Sequence, residues 1–426
     1  MLIEELYKIY LNYPSVQTDT RRLQPNDLFF ALKGPNFNGN IFTEKAIAAG
    51  ASFVVIDEKE FEISGKTILV ADVLIALQQL AKFHRLQLSI PVLAITGSNG
   101  KTTTKELIHA VLSTTFKTYT TEGNLNNHIG VPLTLLKIKP DAEMAVIEMG
   151  ANHQKEIESY CEIALPTHGL ITNCGKAHLE GFGGMEGVRK GKGELFDYLR
   201  KNNETAFVMW DYDYLQQMSE GISQRIKYGT VDGEFIGTSF ESEPFLSVKM
   251  TKGVSPLIIE SQLVGDYNLP NVLAAVTIGK YFNVDEKKIV SAIANYTPSN
   301  SRSQLVVKNS NTFILDAYNA NPSSMKPAIE NFAKAKGENK VLVLGAMAEL
   351  GIESLVEHQQ IIDLIKQYKW KDVVLVGGEF LTLQHPFHAF ENSMQAKEWL
   401  KQKNYEHVHF LIKGSRSFKM EKVIED

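Results

Sequence analysis

Cysteine is nearly missing from this chain: Cys161 and Cys174 are the only two in 426 residues. That excludes a disulfide framework and leaves too few thiols for a structural zinc site. No apolar run approaches the ~20 residues that a membrane span needs. The start, Met1-Leu2-Ile3-Glu4-Glu5, lacks the basic region and apolar stretch of a secretion signal. Positive charge is not in excess either. Against 44 Lys and Arg stand 49 Asp and Glu, a net charge of -5, so bulk attraction to nucleic acid or an anionic membrane is not expected. There is no internal repeat and no low-complexity tract. What is present, 44% hydrophobic and 22% charged residues, is the composition of a soluble globular protein, with the cytoplasm as its expected location. The length implies about two to three domains.

The most informative stretch is Thr96-Gly97-Ser98-Asn99-Gly100-Lys101-Thr102-Thr103-Thr104. It follows the apolar run Val92-Leu93-Ala94-Ile95. It precedes Leu107, Ile108, Val111 and Leu112, spaced as one face of a helix. Strand, glycine turn and helix N-terminus together make a phosphate cradle of backbone N–H groups. Lys101 can then reach terminal phosphates, and Thr102 can hold a bridging Mg²⁺. The pattern is the short Gly-x-x-Gly-Lys-Thr form, because Ile95 stands where the longer form has glycine. The alternative is a glycine turn carrying a surface lysine.

The expected class is α/β in three domains, 1–85, 86–298 and 299–426. Residues 1–85 carry strand-like runs at 27–32 and 52–56 around a helix-like 43–49. The middle part has apolar runs at 92–96, 144–147 and 169–172, each followed by a polar turn, as in a mostly parallel sheet. Residues 298–301 read as a linker. After it the alternation restarts at 313–315, 341–344, 373–376 and 410–412. Ligands of such sheets sit beyond the carboxyl ends of the strands, so the polar residues there carry the argument.

Glu148 ends one strand and reads as a magnesium carboxylate or as a solvated acid. His178, beyond the 169–172 strand, reads as a ligand or as a structural histidine. Lys192, in Lys190-Gly191-Lys192-Gly193, reads by itself as a surface lysine on a glycine-weakened helix. Asn124-Leu125-Asn126-Asn127-His128 suits a neutral polar substrate or a capped turn. Asp316 could hold a ribose hydroxyl and Asn319 could contact the nucleotide, or the two form a polar turn before a helix starting near Ser323.

Together these segments resemble the Mur ligases, ATP-dependent amide-forming enzymes of peptidoglycan synthesis. The likeness rests on six strings in order. They are the 96–102 loop, Asn124–Pro132, Ala177-His178-Leu179-Glu180-Gly181-Phe182-Gly183, Tyr318-Asn319-Ala320-Asn321-Pro322, Gly345–Gly351 and Lys413-Gly414-Ser415-Arg416. Within the family, the pattern is nearest to the members that add D-alanyl-D-alanine to UDP-N-acetylmuramoyl-tripeptide.

The resemblance implies an N-terminal UDP-sugar-binding domain, a central ATPase-like sheet and a C-terminal Rossmann-like domain. It implies an acyl-phosphate route to the amide. ATP and Mg²⁺ are the implied cofactors, with Lys192 carbamylated and holding the metal beside Thr102, Glu148 and His178. Lys101, Glu148, His178 and Lys192 form the implied catalytic set. Gly97, Ser98, Asn99, Gly100, Lys101, Thr102, Thr103, Asn268, Asn271, Arg302, Asp316 and Asn319 would bind the nucleotide. Thr20, Arg21, Lys33, Asn126, Asn127 and Asn321 would bind the substrate. The chain departs from common family residues at Asn38-Gly39-Asn40, Tyr267 and Ala346. A monomer acting on small molecules is expected, without nucleic acid or membrane insertion. The competing readings are a sister ligase for another amino acid or a folate, and a nucleotide-binding scaffold without turnover.

Overall fold

The structure, a computed structural model, describes residues 2–299 and 301–425. The linker reading over 298–301 includes Asn300, which lies outside them. Three main sheets follow one another along the chain. The first has the order Val16–Gln17, Leu28–Phe30, Phe53–Ile56, Thr67–Leu69 and is parallel throughout. A short antiparallel ladder of Lys33–Gly34 with Phe37–Asn38 stands beside it.

The central sheet has nine strands. Val92–Thr96 lies between His168–Ile171 and Met144–Glu148, and pairs parallel with both. Both neighbours come later in the chain, so the first strand occupies a switch point, where such sheets open a crevice. All five residues of Val92–Thr96 and of Met144–Glu148 are buried. Covered on both faces, such strands must be continuously apolar until the ends that reach the crevice. The far edge departs from the expected parallel pattern. Phe235–Glu241, Ser247–Lys252 and Leu257–Glu260 form an antiparallel meander, whose exposed polar positions hide it from a search for apolar runs.

The third sheet runs Gln304–Lys308, Asn311–Asp316, His409–Lys413, Lys340–Gly345, Asp372–Val376, His388–Phe390. Only its first pair is antiparallel. Helix Lys101–Leu112 packs under the central sheet against helix Leu269–Tyr281. Among the described residues, no helix is long and apolar enough to cross a membrane.

Candidate active site

Gly97 begins the phosphate loop with a φ of +143°, and a Cβ there would meet Thr172 Oγ1 at 2.0 Å. Only glycine lets the loop lie this close to the neighbouring strand end. Asn173 fastens the loop from the side: its carbonyl accepts from Ser98 N at 2.9 Å and its Oδ1 from Asn99 N at 3.0 Å. Lys101 opens the helix, and its Nζ donates to the Gly97 carbonyl at 2.6 Å and to the Ser98 carbonyl at 3.2 Å. Burial pulls the lysine below its usual pKa, while the nearby Glu148 opposes that shift.

Behind the loop, short polar side chains hold one another across strands. Thr102 Oγ1 donates to Glu148 Oε2 at 2.9 Å, and Asn126 Nδ2 donates to Glu148 Oε1 at 2.8 Å. Asn127 has a different task. Its Oδ1 accepts from Gly130 N at 2.9 Å and holds the turn that leads into helix Gly130–Leu136. Thr104 Oγ1 reaches Asn271 Oδ1 at 2.9 Å, and Asn271 Nδ2 reaches Asn268 Oδ1 at 2.8 Å. These bonds tie the phosphate-loop helix to the turn before Leu269–Tyr281.

Lys192 corrects the surface-lysine reading. It lies on the inner face of helix Met185–Asn202 and is only 1% exposed. The glycines that seemed to weaken the helix are the reason. A Cβ on Gly191 would meet Phe182 at 2.5 Å, so glycine lets helix and ring close over the lysine. Lys192 Nζ donates to the Ala151 carbonyl at 3.0 Å and lies 4.9 Å from the Phe182 ring centre. Burial, followed by the charge of Lys101, pushes its pKa down to about 7. A large share of this amine is therefore neutral near neutral pH.

His178 adopts a φ of +53° at the head of helix Leu179–Phe182. Its Nδ1 is shut off from solvent and lies 2.5 Å from Glu349 Oε2, but out of line for a hydrogen bond. That imidazole holds Glu349 below the usual carboxylate range. Glu349 comes from the Gly345–Gly351 loop of the third sheet.

The C-terminal side closes the same crevice. Arg302 lies 3.5 Å from the Tyr318 ring centre. Asp316 Oδ2 accepts from the buried Lys413 Nζ at 2.6 Å. Asn319 Oδ1 turns back on Ala320 N at 2.9 Å. Asn321 caps helix Pro322–Lys334, one residue earlier than the expected start, and its Nδ2 donates to Asn99 Oδ1 at 2.7 Å.

The result is one cleft of about 960 Å³. Ser98, Asn99, Gly100, Lys101, Thr102, Thr103, Asn126, Asn127, Glu148 and His178 wall it from the central sheet, with Asn268 and Asn271. Arg302, Asp316, Asn319 and Asn321 wall it from the C-terminal side. Gly97 and Lys192 stand just behind the wall. Lys413, from the Lys413-Gly414-Ser415-Arg416 string, also lines it, and so do Asp211, Tyr212, Tyr214 and Thr230, which no sequence signal marked. Asp211 accepts from Thr230 N and from Thr230 Oγ1, the latter at 2.7 Å.

Thr20 and Arg21 lie elsewhere, on an N-terminal cavity of about 440 Å³ with Phe37, Phe42 and Lys45. Lys33 is outside that cavity's wall, 3.1 Å from Asp57 and 3.4 Å from Glu58.

The donors around Thr102 suit a hard, well-hydrated cation. Among the described residues, no three His, Cys, Asp or Glu gather as a cage. The Thr102 hydroxyl and the Glu148 carboxylate are a sparse oxygen set, the kind Mg²⁺ uses when phosphates and water complete its shell, and the His178 imidazole lies on the same cleft.

Three family models match in sequence. They are described as the Mur ligase family, catalytic domain (residues 12–85), the Mur ligase middle domain (95–279) and the Mur ligase, glutamate ligase domain (301–415). The UDP-N-acetylmuramoyl-tripeptide--D-alanyl-D-alanine ligase of Bacillus subtilis (strain 168) is 34% identical over 424 residues, covering 96% of this chain and 92% of that protein. The crystal structure of MurF from Acinetobacter baumannii matches with a TM-score of 0.88 at 31% identity, over 96% of this chain and 92% of that one. MurF ligase from Thermotoga maritima in complex with ADP matches at 0.87 and 25% identity, over 97% of both chains. With a 34% identical relative spanning nearly its whole length, this chain belongs to the Mur ligase family.

Proposed function

We propose that this protein joins D-alanyl-D-alanine to UDP-N-acetylmuramoyl-tripeptide at the expense of ATP, through an acyl phosphate, in peptidoglycan precursor synthesis. The observation that carries the reading is the single cleft, in which a phosphate loop, Glu148 and His178 face Arg302, Asn319 and Asn321 of the C-terminal side. The relatives with this architecture bear that activity in their names.

The tripeptide's terminal carboxylate attacks the γ-phosphorus of ATP, and ADP leaves. Two anions must approach, and at ~4 Å their repulsion is about 4 kcal/mol even at an effective dielectric of 20. Lys101, Arg302 and the loop N–H groups offset that repulsion at the phosphates. The D-alanyl-D-alanine amine, as the free base, then attacks the acyl carbon. The C–O bond to phosphate breaks, the amine loses a proton, and inorganic phosphate departs. The walls of the cleft keep water from the acyl phosphate in between.

Thr102, Glu148, His178 and Lys192 would hold Mg²⁺, which supplies charge neutralisation on the phosphate oxygens when bound. Lys192 would do so as a carbamate. Its burial supports this, because CO₂ adds only to a neutral amine. Asn268 and Asn271 would face the base of the nucleotide, and Asp316 its ribose. The N-terminal cavity with Thr20 and Arg21 would hold the UDP end, with Lys33 set back from it. Residues 1–85, 86–298 and 299–426 are the corresponding units, working in the cytoplasm, where ATP and the nucleotide sugar are made.

The test is phosphate release from ATP with the nucleotide tripeptide, with and without D-alanyl-D-alanine. Release requiring both, with a pentapeptide product by mass, is expected. Release with one amino acid in place of the dipeptide would move the protein to a sister ligase, and no release would leave a folate-type ligase or a nucleotide-binding protein without turnover.

A further inference from the structure

One buried acid has no place in this chemistry. Glu357, in helix Ser354–Ile365 of the C-terminal side, has a side chain only 4% exposed. Its Oε1 lies 2.5 Å from Lys176 Nζ. A carboxylate taken out of water needs a partner. This partner stands 181 residues away in sequence, on the central-sheet segment between strand His168–Ile171 and helix Leu179–Phe182. Other bonds join the same two sides. Lys176 N donates to Ser323 Oγ at 2.8 Å, and Glu180 N to the Glu349 carbonyl at 3.3 Å. Neither Lys176 nor Glu357 walls the cleft, so replacing them leaves its lining intact.

We propose that the Lys176–Glu357 pair is a tether between the central and C-terminal units, and that both are positioning residues that hold the two walls of the cleft at working distance. Only the Glu357 end of this pair is buried, the Lys176 side chain being 37% exposed, so the pair adds little net stability, yet removing the partner of the buried acid is costly. Its value lies in which arrangement it selects. Here it acts two residues before His178 and on the helix that follows the Glu349 loop, so it fixes how the C-terminal loop meets the metal-side wall.

The experiment uses the full chain with dyes at Glu220→Cys and Glu398→Cys, exposed positions on the two units. Single-molecule energy transfer is read alongside steady-state kinetics. The kinetic arm rests on the ligase reading, and the distance arm does not. If the parent shows no turnover while the distance arm responds, the ligase reading fails and the tether stands.

Lys176→Met and Glu357→Gln are each expected to depopulate the high-transfer state and raise KM for ATP on the order of tenfold, with kcat at saturation changed far less. Lys176→Arg should retain the parent's behaviour. The double variant Lys176→Met/Glu357→Gln decides, because no charge is left to bury. Persistent loss of the high-transfer state, no worse than in the single variants, supports a tether. Recovery of the parent's transfer distribution and KM would reduce the pair to charge compensation and overturn the proposal. An unchanged distribution in both single variants would overturn it equally.

Discussion

Two cavities of this protein, the phosphate-loop cleft and the N-terminal cavity, are built on opposite plans. At the phosphate loop, Thr102, Glu148, Asn126, Thr104 and Asn271 are short, buried or half-buried, and already bonded to one another. At the N-terminal cavity the charged group is long and open to solvent. Arg21 has a side chain 84% exposed and folds back on Asp19 at 2.7 Å. The first plan fixes geometry where charge changes during a reaction, so little reorganisation remains. The second suits binding a group that does not react. Changes in the first region should therefore act on kcat, and changes in the second on KM.

The sharpest way to break the contrast is Lys192→Ala. Removing a group that helps neutralise developing charge should lower kcat by roughly a thousandfold. If Lys192 carries the proposed carbamate, short carboxylic acids should restore part of it by occupying that space. Full activity of the variant would remove Lys192 from the metal site. Glu148→Gln should lower kcat about a hundredfold, because the amide keeps a hydrogen bond to Thr102 and loses the charge.

The N-terminal cavity should answer differently. Arg21→Ala is expected to raise KM for the nucleotide tripeptide about tenfold at nearly constant kcat. Lys33→Ala should do less, because Lys33 is held by Asp57 and Glu58 away from the cavity. A larger effect at Lys33 would mean that it releases its acids and swings to the substrate.

The contrast also has a pH signature. Lys192 is pushed down to about 7, so its neutral fraction shrinks as pH falls from 8 to 6. The attacking amine of the dipeptide loses its free base over the same direction. Turnover should therefore rise severalfold from pH 6 to mildly alkaline pH, while binding of the UDP end alone stays nearly flat. A flat rate profile from pH 6 to 9 would contradict both assignments.

The smallest expected effect is on stability. His168, packed against Phe207, Tyr281 and Phe282, is pushed down to about 4 by burial. The folded chain then stays neutral where the unfolded chain gains a proton. This contribution is complete above about pH 6.5 and is lost as pH falls towards 4, on the order of 3 kcal/mol. His168→Phe should flatten the acid limb of a denaturation series by that amount.

The sequence made the buried parallel strands legible, because a strand covered on both faces must be an unbroken apolar run. Residues 92–95 and 341–344 are such runs, in strands that are entirely buried. The phosphate loop was legible for a related reason, since its backbone geometry demands glycine at Gly97. The antiparallel meander was not, because its strands are half-exposed and polar. Nor was the burial of Lys192, which depends on a ring ten residues earlier packing against Gly191. The pairings of Lys413, Glu349 and Glu357 went unread for a third reason. Their partners Asp316, His178 and Lys176 are 97 residues or more away, and no local pattern reports such a pairing.

The most direct test of the central claim follows oxygen. The terminal carboxylate of the tripeptide is labelled with ¹⁸O, and phosphate released during amide formation is collected and analysed by mass. Attack of that carboxylate on ATP places one labelled oxygen in each phosphate formed. Phosphate without label, alongside the pentapeptide product, would contradict the acyl phosphate and the role given to the cleft.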